Sequence, residues 1–143
     1  MDAEASVEPQ TLKDLFNLPD IQGHIAWQPY REGVEIHRLY GDGITGPIAA
    51  LIRYRAGGEV PLHVHIGYEH IIILAGSQRM GNEVFGTGTL IINPPGTQHK
   101  VSSDNGCIVL AIYEKPVRFL QLSGDGHQEA TLMGQIGMLN KYD

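Results

Sequence analysis

The stretch GGEVPLHVHIGYEH, residues 57–70, concentrates imidazole and carboxylate side chains in one short segment. His63 and His65 are two positions apart, so both imidazoles point to the same face if the segment is extended. Glu69 follows after Gly67, where the chain can turn. His99 comes after the turn-forming residues NPPGTQ and begins another strand-like run. We therefore predict that His63, His65, Glu69 and His99 form one metal site.

Three imidazoles and one carboxylate are a mixed nitrogen and oxygen ligand set, which suits a transition metal and does not suit calcium. We expect one divalent ion per chain, Fe(II) or zinc, with manganese, nickel and copper as alternatives. Four protein ligands on an octahedral ion leave two adjacent positions for water, O2 or a chelating substrate. The ligand set therefore predicts an open site, and it does not identify the catalytic groups.

The other histidines and the single cysteine receive structural interpretations. His70 follows Glu69 directly, so strand alternation turns it to the opposite face. His24, His37 and His127 belong to no motif. Glu59 is interpreted as a turn carboxylate. Cys107 opens an apolar run and is interpreted as an inert, buried thiol.

Composition favours a single all-β domain. The chain has 143 residues, 42% of them hydrophobic, and its 18 glycines and 8 prolines are spread along the whole length, as short strands joined by tight turns require. Ten basic against sixteen acidic residues, with a net charge of -6, argue against a nucleic-acid partner. The sequence shows neither a signal peptide nor a long apolar span, so we expect a cytoplasmic protein without a membrane partner.

Strand-like runs alternate with glycine-rich and proline-rich breakers at intervals of roughly ten residues, which is typical of a sandwich or barrel. The predicted strands cover residues 33–40, 47–56, 69–77, 88–95, 99–103 and 107–122. Before them, PQTLKDLFNLPD has the apolar spacing and the Thr11 cap of a short helix. We expect residues 1–20 to be a flexible or short helical segment, 21–122 a barrel, and 123–143 a loop, with a short helix as the alternative.

Two segments resemble the conserved motifs of the cupin superfamily. The pattern G-x5-H-x-H-x3-E-x6-G fits Gly57, His63, His65, Glu69 and Gly76, and the pattern G-x5-P-x-G-x2-H fits Gly88, Pro94, Gly96 and His99. The departure is Ser103, at a non-ligand position where the family often has Asn. The segments LIRYRAGGEVPLHVH and INPPGTQH are most similar to the cupin half of ChrR-type zinc-binding anti-sigma factors. That subgroup also includes stand-alone cupins related to acetylacetone-cleaving dioxygenases.

This resemblance implies a single cupin barrel, an RmlC-like jelly roll also described as a double-stranded β-helix, with the four residues above as metal ligands. It implies a mononuclear-metal enzyme that acts on a small molecule, by dioxygenase-like cleavage of a chelating diketone or hydroxyketone. Two alternatives stay open, a ChrR-like zinc-binding sensor and a metal-dependent isomerase or lyase. Because ChrR-type proteins carry a helical partner-binding domain before the cupin, and only residues 1–47 precede the motif region here, an anti-sigma role is not expected.

Strand parity predicts which side chains line the barrel. Counting from the ligands, Ile71, Ile73 and Val101 face inward. The opposite parity is also apolar, as at Ile72 and Leu74, so an outer sheet face must pack against the N-terminal segment or a partner subunit. A homodimer is the expected assembly. The polar and aromatic side chains predicted to reach the cavity are Arg53, Tyr54, Tyr68, Gln98 and Tyr113.

Overall fold

The computed structural model describes residues 8–17, 25–122 and 128–132, and it describes the side chains of this range up to residue 120. Eleven strands and one 3-10 turn make up the regular structure of this part of the chain. The strands are β1 Gln28–Arg31, β2 Val34–Tyr40, β3 Ile48–Tyr54, β4 Glu59–Val64, β5 Glu69–Met80, β6 Glu83–Gly86, β7 Leu90–Asn93, β8 Gln98–Ser102, β9 Cys107–Tyr113, β10 Arg118–Leu122 and β11 Gln128–Leu132.

The strands form one curled, antiparallel sheet. Its order is β1-β2-β3-β9-β5-β8-β4-β10-β11, and β6 and β7 both pair with β5. The non-sequential neighbours are the crossovers of a jelly roll, so the all-β barrel predicted from the sequence is confirmed. The predicted run 107–122 divides into β9 and β10 around Pro116, which has no amide hydrogen to donate to a ladder. Strands β1, β6 and β11 lie outside the predicted runs, and β4 was anticipated only as the extended segment that carries His63.

The long strand β5 joins the two halves of the barrel. Its first part pairs with β7 and β9, and its last part pairs with β6 and β8. The register to β9 shifts by one residue between Ile73 and Ala75, and Gly76 follows with a φ of 77°. A bulge and a left-handed glycine bend a strand and increase its twist. This bend lets one strand belong to both halves of the curled sheet.

Apolar side chains fill the barrel and also cover part of its outside. The inner cluster includes Ile71, Ile73 and Val101, which confirms the predicted inward parity. A second cluster on the outer face contains Leu51, Leu74 and Ile108. The side chains packed over it include four from the N-terminal part of the chain, Leu12, Leu15, Ile25 and Trp27. The N-terminal segment is therefore one of the covers that the apolar outer face requires.

The ends of the chain differ from the sequence-based expectation. Within the described part of the predicted helix, Leu15–Asn17 form a 3-10 turn, and Leu12 and Leu15 pack over the outer cluster without a regular helix. In the C-terminal segment, predicted as a loop, residues 128–132 form β11 and pair with β10. Among the described residues, no helix is both long and apolar enough to cross a membrane.

Candidate metal centre

His63 and His99 meet because β4 and β8 are neighbouring strands. The two residues are direct cross-strand partners, and their ring centroids are 4.7 Å apart. The register between the strands shifts between Val60 and His63. Val60 and His63 are both buried on the inside of the barrel, although positions three apart face opposite ways in a regular strand. The irregularity at Pro61–Leu62 thus re-aims the histidine strand toward the interior.

The backbone on both sides of His65 ties it to the turn that precedes β8. Its amide donates to the carbonyl of Thr97 over 2.9 Å, and the amide of Gly96 donates to the carbonyl of His65 over 2.8 Å. A Cβ at Gly96 would meet no atom, but the φ of 91° there favours glycine. This turn places the His65 and His99 rings with centroids 4.7 Å apart.

Glu69 opens β5 and is the direct cross-strand partner of both Asn93 and Tyr113. Because cross-strand partners share one face, the Asn93 amide reaches the carboxylate and donates to Oε1 over 3.0 Å. The same oxygen lies 2.7 Å from Nε2 of His65 and 4.0 Å from Nε2 of His99. Glu69 therefore approaches from the wall of the barrel opposite to His63 on β4 and to His65, which follows that strand.

The structure brings the four sequence-predicted site residues together. One ligand atom from each of His63, His65, Glu69 and His99 lies within 4.8 Å of every other. His63, His65 and Glu69 are buried, and the His99 side chain is 14% exposed. A set of this size and composition matches the imidazole and carboxylate ligation that transition metals prefer. The site can hold one metal ion.

Hydrogen bonds on the far side of two rings fix which nitrogen faces the centre. Nδ1 of His63 lies 2.8 Å from the carbonyl oxygen of Pro61, and Nδ1 of His65 lies 3.1 Å from that of Thr97. A carbonyl oxygen only accepts, so in both rings Nδ1 carries the hydrogen and donates it. The Thr97 hydroxyl donates to the Pro94 carbonyl over 2.6 Å and so accepts from His65 as well. Nε2 of each ring therefore carries no hydrogen and presents a lone pair, an arrangement that is common for metal-binding histidines.

Two lone pairs therefore face each other at the centre. Nε2 of His65 and Oε1 of Glu69 are 2.7 Å apart, yet Nε2 of His65 makes no hydrogen bond of acceptable geometry, and neither does Nε2 of His99. Two acceptors at this distance repel unless a cation or a proton lies between or beside them. The residues present thus fit a bound divalent cation.

Burial favours the neutral, metal-binding form of His63 and His99. It lowers the pKa of His99 to about 4, with the neighbouring His63 adding to the effect, and burial likewise lowers the pKa of His63. Burial alone would raise the pKa of Glu69, but a proton donated by His65 and the positive charge that the imidazoles carry when protonated hold it below the ordinary value. At neutral pH His63 and His99 therefore present lone pairs and Glu69 a carboxylate, so few protons compete with a metal at these three residues.

The cluster lies between two cavities of different size. An inner cavity of about 20 Å³ is lined by aliphatic side chains, by His63, Glu69 and His99, and by polar groups that include Tyr54, Tyr113 and Gln78. An open groove of about 720 Å³ lies outside and reaches His99 and Asn93. His99 therefore lines both spaces and separates the interior from the groove.

Of the five side chains predicted to reach the cavity, Tyr54 and Tyr113 do so. Gln98 lines the outer groove. Arg53 lies on the outer face, where it donates to Glu35 and lies 4.4 Å from the centroid of the Trp27 ring. Tyr68 is 43% exposed. For Arg53 the error is one of parity, because even and odd positions of β3 are equally apolar and give no sign of the inner face.

Sequence reasoning missed Asn93, Thr97 and Gln78. Asn93 and Thr97 flank the Pro94-Pro95 turn, and their roles depend on the register with β5 and on the path of His65. Gln78 would face outward if parity were counted from Glu69, but the shift between Ile73 and Ala75 reverses it. A polar residue late in an apolar strand was the available signal for Gln78.

The remaining singled-out residues behave as structural groups. His70 is outside the cluster and lies beside Tyr68, with ring centroids 6.5 Å apart. Nδ1 of His37 is 3.1 Å from the carbonyl oxygen of Ala26, and Glu59 pairs with Lys100 over 3.2 Å. His24 and His127 lie outside the described residues. Burial raises the pKa of the Cys107 thiol to about 11, consistent with an inert group.

Solved structures share this fold. An RmlC-like cupin from Ralstonia eutropha JMP134 is 21% identical, covering 78% of this chain and 76% of its own, with a TM-score of 0.62. An acetylacetone dioxygenase from Acinetobacter johnsonii is 14% identical, covering 94% and 91%, with a TM-score of 0.66. A chain in the complex of Rhodobacter sphaeroides SigE with the anti-sigma ChrR is 28% identical, covering 62% and 48%, with a TM-score of 0.55.

No curated protein matches the sequence. The family comparison is more specific, since residues 21–117 match the ChrR Cupin-like domain. This match spans more than half of the 143 residues and contains all four residues of the cluster. The chain therefore belongs to the ChrR cupin-like family.

Proposed function

We propose that this protein is a mononuclear-metal enzyme that cleaves a small chelating diketone or hydroxyketone with O2, and that His63, His65, Glu69 and His99 are its metal ligands. The observation that carries the proposal is the close approach of two acceptor atoms inside the barrel. Nε2 of His65 and Oε1 of Glu69 are 2.7 Å apart. Fe(II) or zinc suits this donor set, and the oxidative reaction requires the redox-active ion.

A divalent ion bound here would polarise the oxygens of a chelating substrate and, if redox-active, would take part in O2 activation. The chain itself supplies orientation and exclusion of water. Pro61 and Thr97 hold the rings of His63 and His65, and Asn93 holds the carboxylate of Glu69. The aliphatic lining of the barrel keeps bulk water from the inner side of the cluster.

The substrate is proposed to arrive through the outer groove. A diketone has many times the volume of a water molecule, and the inner cavity of about 20 Å³ holds little more than one water. The groove of about 720 Å³ is large enough, and its floor includes His99 and Asn93. Substrate contacts are therefore expected from groove side chains such as Gln98 and Lys100.

The fold shared with an acetylacetone dioxygenase makes β-diketones the first compounds to test. The experiment is to prepare the metal-free protein, reload it without air with Fe(II), and follow O2 consumption with acetylacetone and aromatic hydroxyketones. Oxidative cleavage of one carbon–carbon bond of acetylacetone, with one atom of O2 entering each fragment, needs no other reductant. We expect O2 uptake that requires both Fe(II) and one of these compounds.

Variants separate site chemistry from background oxidation by free iron. His63→Ala and Glu69→Ala should abolish uptake, and His70→Ala, which changes a neighbouring histidine outside the cluster, should retain it. Circular dichroism checks that each variant is folded. Uptake that is equal in wild type and His63→Ala would refute the proposed site.

The match to the ChrR cupin-like domain favours a second candidate, a zinc-binding sensor or regulatory module. Its signature is stoichiometric zinc with no turnover of any compound in the panel. A metal-dependent isomerase or lyase gives a third pattern, substrate loss without O2 uptake. The same reloading experiment therefore separates the three functions.

We also propose that the chain forms a homodimer through β7. Among the described residues β7 pairs only with β5, and its Leu90 and Ile92 are 54% and 50% exposed. Exposed apolar edge strands tend to pair with another chain, and a second copy of β7 in antiparallel register is self-complementary. Sedimentation should show a dimer at micromolar concentration, and Leu90→Lys should yield a monomer. A wild-type monomer would refute the dimer and leave the metal site untouched.

A further inference from the structure

Gln78 is a polar side chain inside an apolar barrel. It lies on β5 and is only 1% exposed, and it lines the inner cavity that also reaches His63, Glu69 and His99. The register shift between Ile73 and Ala75 turns it inward. An apolar side chain such as Met or Leu would suit this core position. Burial of an amide here lowers the stability of the fold, and packing does not explain it.

The amide of Gln78 has no hydrogen-bond partner of normal geometry at either Oε1 or Nε2. Burial raises the pKa of Tyr54 well above its usual range, and the Gln78 amide, which approaches the Tyr54 hydroxyl as a hydrogen-bonding neighbour outside normal geometry, opposes that rise. Buried side-chain amides are almost always hydrogen-bonded, to protein or to another molecule. The Tyr54 hydroxyl can satisfy at most one of the amide's donor and acceptor sites, so the remaining sites point to a group that enters the cavity.

The lining determines which chemistry that group has. Seven of the fourteen lining residues are aliphatic, and the polar members besides the metal cluster are Gln78 and the tyrosines 30, 54 and 113. None of the lining residues is Lys or Arg, and the one carboxylate is Glu69. Arg38 acts on Tyr113 electrostatically without lining the cavity. An anion would thus be buried beside a carboxylate with no cationic side chain to pair with it, which is costly.

The volume of the cavity limits the size of the group that can enter it. About 20 Å³ exceeds the 10–15 Å³ that one water molecule needs, but not by enough for a diketone. The site therefore accepts one oxygen function with at most a small alkyl group. An amide both donates and accepts, so a hydroxyl or a carbonyl oxygen satisfies it equally well.

We propose that the inner cavity is a binding site for one neutral oxygen function, a hydroxyl or carbonyl group of a small molecule, and that Gln78 is the residue that hydrogen-bonds it. This rests on the proposed function in one respect, that the group belongs to a molecule that also meets the metal cluster. The site makes the protein selective for neutral over anionic ligands on its inner side. Gln78 is a binding residue and not a metal ligand.

The test uses the side-chain amide resonances of Gln78, observed by NMR in nitrogen-labelled protein in both the metal-free and the zinc-loaded forms. The probes are methanol, formate and xenon, which are small and differ in chemistry. Methanol should shift both amide proton resonances saturably, and formate and xenon should leave them unchanged. Gln78→Met identifies the resonances by their loss.

Two variants measure the contribution of the polar groups. Gln78→Met and Tyr54→Phe should each weaken methanol binding about fivefold to tenfold, the loss expected for one net hydrogen bond, detected at a reporter amide on β3 or β9. Gln28→Met, on the exposed start of β1, is the matched control and should bind as wild type. Without a probe, Gln78→Met should raise the unfolding midpoint, because it replaces an unsatisfied buried amide by an apolar group of similar shape.

Each contrary result overturns the inference. If methanol fails to shift Gln78 while a long-lived water is detected beside the amide, the cavity holds structural water only. Formate binding as tightly as methanol would make it an anion site, and filling by xenon alone would make it an apolar gas site. A lower unfolding midpoint for Gln78→Met would show that the amide is already satisfied. Zinc stoichiometry in the same samples reports separately on the metal proposal.

Discussion

Nε2 of His65 lies 2.7 Å from Oε1 of Glu69, and both atoms are lone-pair acceptors because Thr97 fixes the hydrogen of His65 on Nδ1. The contact is buried, with side-chain exposures of 1% and 5%. Without a cation or a shared proton it is a repulsive contact in a place of low dielectric constant. A divalent ion held by both atoms would remove that repulsion, so we expect metal binding and folding stability to be coupled.

Metal should therefore stabilise the fold. Zinc at about one hundred times its dissociation constant adds about 2.7 kcal/mol to the free energy of unfolding, which raises the unfolding midpoint by roughly 8 °C for a domain of this size. A chelator should reverse the shift. Calorimetry of wild type, of the double variant His63→Ala with His99→Ala, and of His70→Ala checks this. An equal gain in the double variant would contradict the metal site.

Asn93 should be a positioning residue for Glu69, since it donates to Oε1 over 3.0 Å. Removal of a partner of this kind commonly lowers metal affinity about 10-fold to 100-fold. We expect that loss for Asn93→Ala in competition titrations against a metal-binding dye, with one metal per chain still bound. Asn82→Ala, which changes an exposed asparagine in the β5–β6 turn, should bind metal as wild type does.

The N-terminal segment should contribute measurably to stability. Leu15 packs against the outer cluster of Leu51, Leu74 and Ile108, whereas its neighbour Phe16 is 61% exposed. Leu15→Ala should lower the free energy of unfolding by about 1–2 kcal/mol, less than a fully buried leucine because the site is partly exposed. Phe16→Ala should change it by less than about 0.5 kcal/mol. Urea unfolding compares the two, and equal effects would mean that the segment does not dock on the outer cluster.

Gly76 should resist substitution. Its φ is 77°, and a Cβ there would collide with the carbonyl oxygen of Gly106. Backbone on both sides cannot move aside cheaply, so Gly76→Ala should cost about 2–4 kcal/mol, well above the usual effect of a single substitution. Gly86→Ala, where a Cβ meets nothing within 4 Å and φ is not positive, should cost less than about 1 kcal/mol. Similar unfolding midpoints for the two variants would refute the close approach.

Cys107 should react slowly in the native protein. Burial raises its pKa to about 11, above the ordinary value of 9.0, so the native thiol stays protonated where an unfolded one ionises. Iodoacetamide at pH 9 should therefore modify the unfolded chain much faster than the native chain. Between pH 9 and about 11 the unfolded state binds fewer protons than the native state, so this thiol makes stability fall as pH rises. Cys107→Ser should weaken that dependence, which urea unfolding at several pH values measures.

Local patterns in the sequence predict much of the fold and of the metal cluster. The i, i+2 spacing of His63 and His65 sets two imidazoles on one face of any extended segment, and the glycine and proline breakers mark the turns between strands. The ligand types alone indicate a transition metal. Inward parity near Glu69 also holds as far as Ile73, because strand alternation is a local property.

Only the tertiary structure decided which groups surround those ligands. Asn93 reaches Glu69 through a pairing between β5 and β7, and His99 reaches His63 through one between β4 and β8. The register shift after Ile73 reverses the parity that would send Gln78 outward, and Arg53 follows the outer face of β3. Register and bulges depend on the packing of the whole barrel and have no local signal. For that physical reason the sequence predicts the ligands, whereas the cavity behind them is known only from the fold.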